Sequence, residues 1–323
     1  MVDPKSNILI LSAGRRVELV QAFQAEVRKR GLTSRLFATD MNPALSAACQ
    51  IADEAIAVPR VTDPGYHDLL LEICLQHDIG LVVPTIDTEL LGLAVDRERF
   101  ASHGVHLVIS DRMLIETCRD KRQTSDLFGR LGIGVPSLYD REALHFPCFA
   151  KPWDGSRSVG AILVPTREAV TPAMLRDPKL MFMEYIDGTH VEYTVDAYYD
   201  RDGALCCMVP RQRLEVRDGE INKGVTRRGH VYDYLIDRLG KVEGARGCLT
   251  VQLFAREDGG RYAALEINPR FGGGYPLSYA AGAHYPGWLI DEYLLGQSVA
   301  FFDDWEADLL MLRYDAKVLV HAG

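Results

Sequence analysis

Short apolar runs alternate with amphipathic stretches along the first third of the chain. Residues 7–11 form an apolar run, and residues 15–30 after it carry apolar side chains at helical spacing. The alternation continues with predicted strands at 34–38, 56–58, 81–83 and 106–109, and with predicted helices near 66–77 and 88–100. Strands that alternate with helices predict a parallel sheet wrapped by helices. The first third is therefore predicted to be an α/β domain with a Rossmann-like parallel sheet.

The hydrophobic pattern changes near residue 111. A helix is predicted over 120–131, just before Gly132. Predicted strands follow at 148–151, 160–164, 180–186, 190–199 and 204–213, with few helices between them, and helical runs near 232–240 and 286–295 come last. Short polar connections such as Asp200-Arg201-Asp202-Gly203 are typical of antiparallel pairing. The remainder is therefore predicted to be an α+β body.

A polar ridge ends one of the later strands. The segment EINPRFGGG at 266–274 closes an alternating run that is typical of a strand. Residues two apart on a strand share a face, so Glu266, Asn268 and Arg270 are predicted to project together. A carboxylate with a neutral oxygen ligand suits Mg²⁺, and an arginine one step further suits the phosphate that such a metal holds. The alternative is a polar strand end that runs into a glycine turn.

The preceding β-rich run, 249–257, is joined to this strand by Asp258-Gly259-Gly260, which is a hairpin signal. With a three-residue loop, Gln252 lies opposite Glu266 and adds an oxygen to the same cluster. With a two-residue loop the parity changes and Gln252 faces away, so this prediction depends on the register.

A second polar segment, KPWDGSRSVG at 151–160, joins two predicted strands. Such a loop can fold over a phosphate tail with its backbone N–H groups, its hydroxyls and Arg157, while Lys151 supplies a point charge at the strand end. A plain hairpin loop explains the same composition. The Walker A pattern is absent.

The carboxyl ends of the predicted parallel strands carry polar side chains, where sheets of this kind bind ligands. The candidate substrate-binding residues there are Arg15, Arg16, Asp40, Asp87 and Glu89, for which capping or surface roles are equally good explanations. The first of these loops has one glycine where a dinucleotide fingerprint needs three, which argues against a Rossmann dehydrogenase.

Other charged residues carry weaker hypotheses. Arg211 and Arg213 alternate along a predicted strand, so both are candidates to face the cleft, and a solvated strand edge is the alternative. Lys223-Gly224 is predicted to lie in a loop that closes over the substrate.

Composition narrows the class of protein. The chain has 323 residues, of which 47% are hydrophobic and 25% charged, values that are ordinary for a globular protein. Its net charge of −9 argues against a nucleic-acid partner, and no apolar stretch approaches the roughly 20 residues that span a membrane. The seven cysteines are scattered without a C-x-x-C pair, which favours reduced, mostly buried thiols and a cytoplasmic location.

The order of these motifs resembles that of the ATP-grasp superfamily, in particular its branch similar to the carbamoyl-phosphate synthase large subunit. The resemblance rests on Lys121, Lys151 with its loop, the segment MEYIDG at 183–188, Glu192, Gln252 and the EINPR strand. It implies a preATP-grasp α/β domain at 1–112 and an ATP-grasp domain at 113–300, divided into a nucleotide lid at 113–188 and a catalytic subdomain at 189–300. Residues 301–323 are then expected to pack on the body as a tail.

The resemblance also implies roles for individual residues. The residues implied to contact ATP are Lys121, Lys151, Ser156, Arg157, Ser158, Glu184, Tyr185, Ile186 and Glu192. The residues implied to bind Mg²⁺ are Gln252, Glu266 and Asn268, and those implied in catalysis are Arg270, Lys151 and Arg213. Within these sets the lysines would contact phosphates, Glu184 and the backbone after it would read the adenine, and Glu192 would bind the ribose.

The function that follows is an ATP- and Mg²⁺-dependent carboxylate–amine ligase. It would form an amide bond through an acylphosphate and release ADP and phosphate, with two magnesium ions that manganese can replace. Its partners would be a small carboxylate and a small amine, without nucleic acid or membrane, and with a homodimer as the assembly considered. The alternatives are carbamoyl-phosphate-type phosphoryl transfer to bicarbonate or carbamate, and an ATP-binding module without turnover.

Overall fold

The fold, seen in a computed structural model, is described for residues 5–155, 160–217 and 220–321. A five-stranded parallel sheet forms its first part, in the order β3-β2-β1-β4-β5. The strands are β1 (Asn7–Ile10), β2 (Leu36–Asp40), β3 (Glu54–Ala57), β4 (Ile79–Val83) and β5 (His106–Leu107). The helices are α1 (Val17–Lys29), α2 (Ala47–Ile51), α3 (Tyr66–Gln76) and α4 (Asp87–Ala101). Every residue of β4 is buried because helices cover both faces of the sheet.

Two helices connect this sheet to the rest of the chain. They are α5 (Arg112–Arg119), which the sequence did not predict, and α6 (Lys121–Arg130). Asp120 ends the first and caps the second, since its side chain accepts a hydrogen bond from the backbone N–H of Arg122. This cap fixes where Lys121 begins its helix.

A four-stranded antiparallel sheet follows, in the order β6-β9-β7-β8. Its strands are β6 (Leu138–Tyr139), β7 (Cys148–Pro152), β8 (Ile162–Val164) and β9 (Leu180–Glu184), and it carries the short helix α7 (Pro172–Arg176). It has a small core of its own, made of Cys148, Ala150, Val164, Leu180 and Phe182. Because this core is separate from the main one, we name the sheet and α7 the lid.

The largest sheet has six antiparallel strands in the order β14-β13-β10-β11-β12-β15. Its strands are β10 (His190–Tyr199), β11 (Leu205–Arg217), β12 (Glu220–Thr226), β13 (Gly247–Arg256), β14 (Tyr262–Asn268) and β15 (Leu310–Leu312). The helices beside it are α8 (His230–Leu239), α9 (Tyr275–Ala280) and α10 (Tyr285–Tyr293). One apolar core joins this sheet to β1 and α1, so the six-stranded and parallel sheets pack together. The predicted fold class, α/β followed by α+β, is confirmed.

One predicted loop is wrong. Lys223 and Gly224 lie inside β12, where they pair with Leu312 and Met311 of β15. The sequence did not predict this strand, which pairs on one side with the preceding strand β11 and on the other with β15, a segment almost ninety residues further along the chain.

The pairing of Gln252 with Glu266 is confirmed, although by another route than a three-residue loop. Ala255 pairs with Tyr262, a register that by itself would turn Gln252 to the opposite face from Glu266. The register shifts between Gln252 and Leu253, which leaves Leu265 as the extra residue of a β-bulge. The bulge restores the common face.

The described residues contain no helix that is both long and apolar enough to cross a membrane. All seven cysteines are free thiols, and six of them are buried.

Candidate active site

The three candidate metal ligands lie at one edge of the six-stranded sheet. Gln252 on β13 pairs with Glu266 on β14, and Thr250 pairs with Asn268. Opposed residues and residues two apart share a face, so all three oxygen-bearing side chains point the same way. The Asn268 Nδ2 group donates to Glu266 Oε1 at 3.1 Å, which fixes the amide oxygen relative to the carboxylate. The structure thus brings the predicted ligand set together.

Both candidate phosphate-binding lysines approach this cluster. Lys121 Nζ lies 3.8 Å from Glu266 Oε2 and donates a hydrogen bond to the backbone oxygen of Gly155. The pKa of Lys151 is lowered to about 8, mainly by burial. The neighbouring Glu266 carboxylate raises this pKa, and the charge of Lys121 lowers it. Two cations therefore converge on one carboxylate, although they come from α6 and from the lid strand β7.

Glu192 on β10 lies on the same face as the metal-ligand candidates. Its Oε1 accepts a hydrogen bond from Arg213 Nη1 at 2.6 Å. Burial raises the pKa of Glu192, the Arg213 guanidinium lowers it, and the nearby Glu266 raises it again. A carboxylate held by an arginine at this position can accept hydrogen bonds from the hydroxyl groups of a ligand.

The candidate adenine-binding segment lies where the lid joins the body. Glu184 Oε2 accepts from Arg261 Nη2 at 2.5 Å and from the backbone N–H of Ser137 at 3.2 Å, and the Arg261 guanidinium lowers the pKa of Glu184. These partners occupy the carboxylate, so the groups of this segment left open to a ligand are the backbone N–H and C=O of Tyr185 and Ile186. Tyr185 is exposed and Ile186 is half-buried.

Three further ATP-binding candidates, Ser156, Arg157 and Ser158, lie outside the described residues. The segment that leads to them is anchored at its base. The backbone N–H of Lys121 donates to the carbonyl oxygen of Trp153 at 3.0 Å, and the side chain of Lys121 reaches Gly155. The start of this loop is therefore tied to the first turn of α6.

Arg270 connects the polar ridge to the parallel sheet. Its Nη2 donates to Asp87 Oδ2 at 2.9 Å, and its Nη1 donates to the backbone oxygen of Phe271 at 3.3 Å. Its Nε is buried and has no hydrogen-bond partner among the described residues. Arg16, at the start of α1, lies close by, since burial and then the charge of Arg270 lower the pKa of its guanidinium.

The other candidate substrate residues do not join this cluster. Arg15 is exposed. Asp40 Oδ2 accepts the backbone N–H of Gly14 at 3.2 Å and so holds the loop after β1. Glu89 is buried: its Oε1 accepts the backbone N–H of Thr85 at 2.7 Å, its Oε2 accepts the hydroxyl of Ser12 at 2.8 Å, and burial raises its pKa to about 7. These contacts give Asp40 and Glu89 structural roles.

Arg211 and Asp196 form a buried ion pair that supports the candidate site. Arg211, which is 1% exposed, donates to both oxygens of Asp196 at 2.8 and 3.0 Å. Asp196 also accepts from the hydroxyls of Ser278 at 2.6 Å and Thr250 at 3.4 Å. Thr250 Oγ1 in turn lies 3.0 Å from the backbone oxygen of Arg270. The alternation in the sequence indicated a cleft-facing Arg211, but nothing indicated its partner.

The three glycines after Arg270 are needed for close packing. A Cβ atom on Gly272 would meet Thr250 Oγ1 at 3.0 Å, one on Gly273 would meet the carboxylate of Glu220 at 2.8 Å, and one on Gly274 would meet Arg211 Nη1 at 2.3 Å. This loop therefore lies directly against the supporting side chains. Glu220, which the sequence did not mark, reaches it from the start of β12.

Two family models match the chain. Residues 8–108 match the model described as the PylC-like N-terminal domain. Residues 176–312 match the model described as ATP-grasp in the biosynthetic pathway with Ter operon. No curated protein matches the sequence.

Solved structures of low sequence identity share the fold. The biotin carboxylase domain of Hydrogenobacter thermophilus 2-oxoglutarate carboxylase is 14% identical, with a TM-score of 0.74 over 94% of this chain and 73% of its own. N5-carboxyaminoimidazole synthetase from Staphylococcus aureus is 14% identical, with a TM-score of 0.69 over 95% of this chain and 80% of its own. The L-amino acid ligase from Bacillus licheniformis is 16% identical, with a TM-score of 0.66 over 91% of this chain and 75% of its own.

The family models cover both parts of the molecule, and the solved structures share its architecture over nearly its whole length. The branch similar to the carbamoyl-phosphate synthase large subunit, expected from the sequence, is not confirmed by either model. A PylC-like N-terminal domain followed by an ATP-grasp domain makes this chain a member of the ATP-grasp superfamily.

Proposed function

We propose that this protein is an ATP- and Mg²⁺-dependent ligase that activates a carboxylate as an acylphosphate and joins it to an amine. The observation that carries the proposal is the grouping of Lys121 and Lys151 around Glu266, beside Gln252 and Asn268. Two cations next to a set of oxygen ligands suit a polyphosphate that arrives with its metal. The reaction class agrees with that of one solved relative, the L-amino acid ligase.

The donor set fits Mg²⁺ only together with the nucleotide. The described residues contain no group of three or more His, Cys, Asp or Glu side chains that could hold a metal. Gln252, Glu266 and Asn268 offer one carboxylate and two amide oxygens, and Mg²⁺ at such sites takes its other ligands from substrate phosphates and water. These three residues would hold the ion, and the ion would neutralise phosphate charge. Mg²⁺ should therefore bind far more weakly without ATP.

The protein's own groups account for the remaining chemistry. Lys121 and Lys151 would bind the phosphates, and Arg270 would stabilise the phosphoryl group as it moves to the carboxylate. Phosphoryl transfer depends on positioning and charge neutralisation, so it requires no nucleophile from the protein. Arg213 would hold Glu192 in place for the ribose hydroxyls. The amine then displaces phosphate from the acylphosphate and forms the amide bond.

Phosphorus NMR of a turnover mixture tests the proposal. Candidate acids and amines are screened for ADP release, and hydroxylamine replaces the amine to trap the acylphosphate. We expect ADP and inorganic phosphate, with a hydroxamate formed only when an acid is present. The formation of AMP and pyrophosphate would mean an adenylating enzyme and would overturn the mechanism. Bicarbonate is included among the acids, because the Hydrogenobacter thermophilus biotin carboxylase domain was solved in complex with this anion.

A further inference from the structure

Arg270 and Arg313, from distant parts of the chain, both lie near Arg16, where the parallel sheet meets the six-stranded sheet. Arg16 precedes α1, Arg270 follows β14, and Arg313 follows β15. The charged groups that act on Arg16 include Arg270, Glu220, Asp87 and Arg313, so all four lie near Arg16. Glu220 also lies against Gly273, three residues after Arg270, where a Cβ atom would meet its carboxylate at 2.8 Å. We name Arg16, Arg270 and Arg313 the arginine cluster.

The carboxylates of this neighbourhood pair with two of the three guanidinium groups. Asp87 holds Arg270 at 2.9 Å, and Glu220 Oε2 accepts from Arg313 Nη1 at 3.3 Å. Arg313 also donates to the backbone oxygen of Ile221 at 3.2 Å. Only Glu18, exposed and 3.8 Å away, adds a further negative charge to Arg313 among the described residues.

Donors in the arginine cluster lack acceptors. The half-buried guanidinium of Arg16 makes no hydrogen bond to any side chain or backbone group in the described part of the chain, and Arg270 Nε, which is buried, has no partner there either. Half-buried like charges repel, and buried donors without acceptors are costly. An oxyanion among the three side chains would supply acceptors to the donors of Arg16 and Arg270 that lack them.

The arginine cluster is distinct from the lysines proposed to bind ATP. Glu266 and Lys121 are the charged residues that act on Lys151. Those that act on Arg16 are different: Arg270, Glu220, Asp87 and Arg313. Arg270 belongs to the arginine cluster and follows the candidate metal ligand Asn268 by two residues. A ligand at the arginine cluster would therefore lie next to the site proposed for the nucleotide and its metal.

We propose that Arg16 and Arg313, with Arg270, bind an oxyanion of the second substrate, either its carboxylate or a phosphate that it carries. This inference rests on the proposed function, because the bound molecule would be the acid that the enzyme activates. Arg16 and Arg313 then select anionic substrates, and the segment after β15 completes the active site. Arg313 lies outside every set of residues that the family resemblance implied for ATP, metal or catalysis.

Calorimetric titration of the full chain with two probes, malonate and inorganic phosphate, tests the proposal. Each titration is run with and without saturating MgADP, so that no turnover is needed. We expect at least one probe to bind, and Arg16→Gln and Arg313→Gln each to weaken it by roughly ten- to a hundredfold, the effect of losing one charge-assisted hydrogen bond. Arg313→Lys keeps the charge but loses the planar fork of the guanidinium. Its affinity for the probe should lie between those of the wild type and Arg313→Gln.

The matched control is Arg217→Gln. Arg217 pairs at the exposed surface with Asp315, which follows Arg313 by two residues. Loss of the Arg217 guanidinium should therefore leave probe binding unchanged. An unchanged ADP affinity and melting temperature in the variants would show that the cleft is folded. Malonate binding alone would indicate a carboxylate, and phosphate binding alone a phosphorylated substrate.

Two results would overturn the inference: neither probe binds the wild-type protein, or Arg16→Gln binds both as the wild type does. The outcome is independent of the proposed reaction. If a probe binds through Arg16 and Arg313 but no ADP forms with any acid, the anion site stands and the ligase proposal fails. If ADP forms with an acid while the variants bind the probes as the wild type does, the ligase proposal stands and the anion site fails.

Discussion

Arg270 Nη2 and Asp87 Oδ2 lie 2.9 Å apart, although 183 residues separate them in the chain. The ion pair joins the segment after β14 to the first turn of α4, a helix of the domain that contains the parallel sheet. Both side chains are largely shielded, at 16% and 20% exposure, so the pair is less screened than a surface ion pair. Asp87 thus holds one side of the guanidinium, while Arg270 Nε is buried without a hydrogen-bond partner among the described residues.

The first prediction concerns Asp87→Ala. Without its partner, Arg270 should lose its fixed orientation, and kcat should fall by about tenfold or more because phosphoryl transfer depends on positioned charge. ATP affinity, measured by calorimetry, should change little because Asp87 pairs with Arg270, whereas the lysines proposed to bind ATP, Lys121 and Lys151, lie by Glu266. The control is Asp68→Ala, which removes an exposed ion pair to Arg99 in the same sheet domain. A kcat equal to that of the wild type would remove Asp87 from the positioning of Arg270.

The second prediction is a pH dependence of ATP affinity that comes from Lys151. Burial lowers the pKa of this lysine to about 8, so in the free protein it is charged below pH 8 and neutral above it. An anionic nucleotide favours the charged form, so ATP affinity should fall as the pH rises through about 8. Calorimetry between about pH 6.5 and 9.5 measures the trend.

Two substitutions at this position separate the charge from its titration. Lys151→Ala should weaken ATP binding by about 1.5–3 kcal/mol at neutral pH and remove the pH dependence. Lys151→Arg should keep its charge over the whole range and remove only the dependence. A pH profile that persists in Lys151→Ala would assign the titration to another group.

The third prediction is that Glu266→Gln abolishes Mg²⁺-dependent turnover and leaves the fold intact. The change removes the only carboxylate of the proposed ligand set but keeps its size and one oxygen. Activity is measured across a magnesium titration, and the melting temperature serves as the control for folding. Near-normal activity with an unchanged metal dependence would exclude Glu266 from the metal site.

The fourth prediction concerns the glycine loop. Gly274→Ala would place a Cβ atom 2.3 Å from Arg211 Nη1 and 2.5 Å from Ile221 Cγ2, and both atoms belong to tightly packed side chains. We expect a loss of about 1–3 kcal/mol in the free energy of unfolding, as is typical of overpacked sites. Gly188→Ala is the matched control, because its Cβ atom would meet no atom within 4 Å. Equal stability of the two variants in urea unfolding would contradict the close packing of the loop.

Local patterns in the sequence determined most elements and one face of the site. Apolar runs and helical spacing predicted the parallel sheet and its helices, because burial on one face leaves a periodic trace in the sequence. The alternation at 266–270 likewise predicted that Glu266 and Asn268 share a face, since side-chain direction on a strand follows from backbone geometry alone.

Tertiary structure decided the features that depend on distant pairing. The alignment of Gln252 with Glu266 needed a bulge at Leu265, and no propensity marks a single extra residue in a strand. β12 pairs with β11 beside it in sequence, but its other neighbour, β15, comes from a segment almost ninety residues further along, and no local pattern predicted that pairing. The same pairing carries Arg313 to Glu220, and the packing of the two domains carries Arg16 and Asp87 to Arg270. Periodicity records which face of an element is buried, whereas which elements meet is set by the packing of the whole chain.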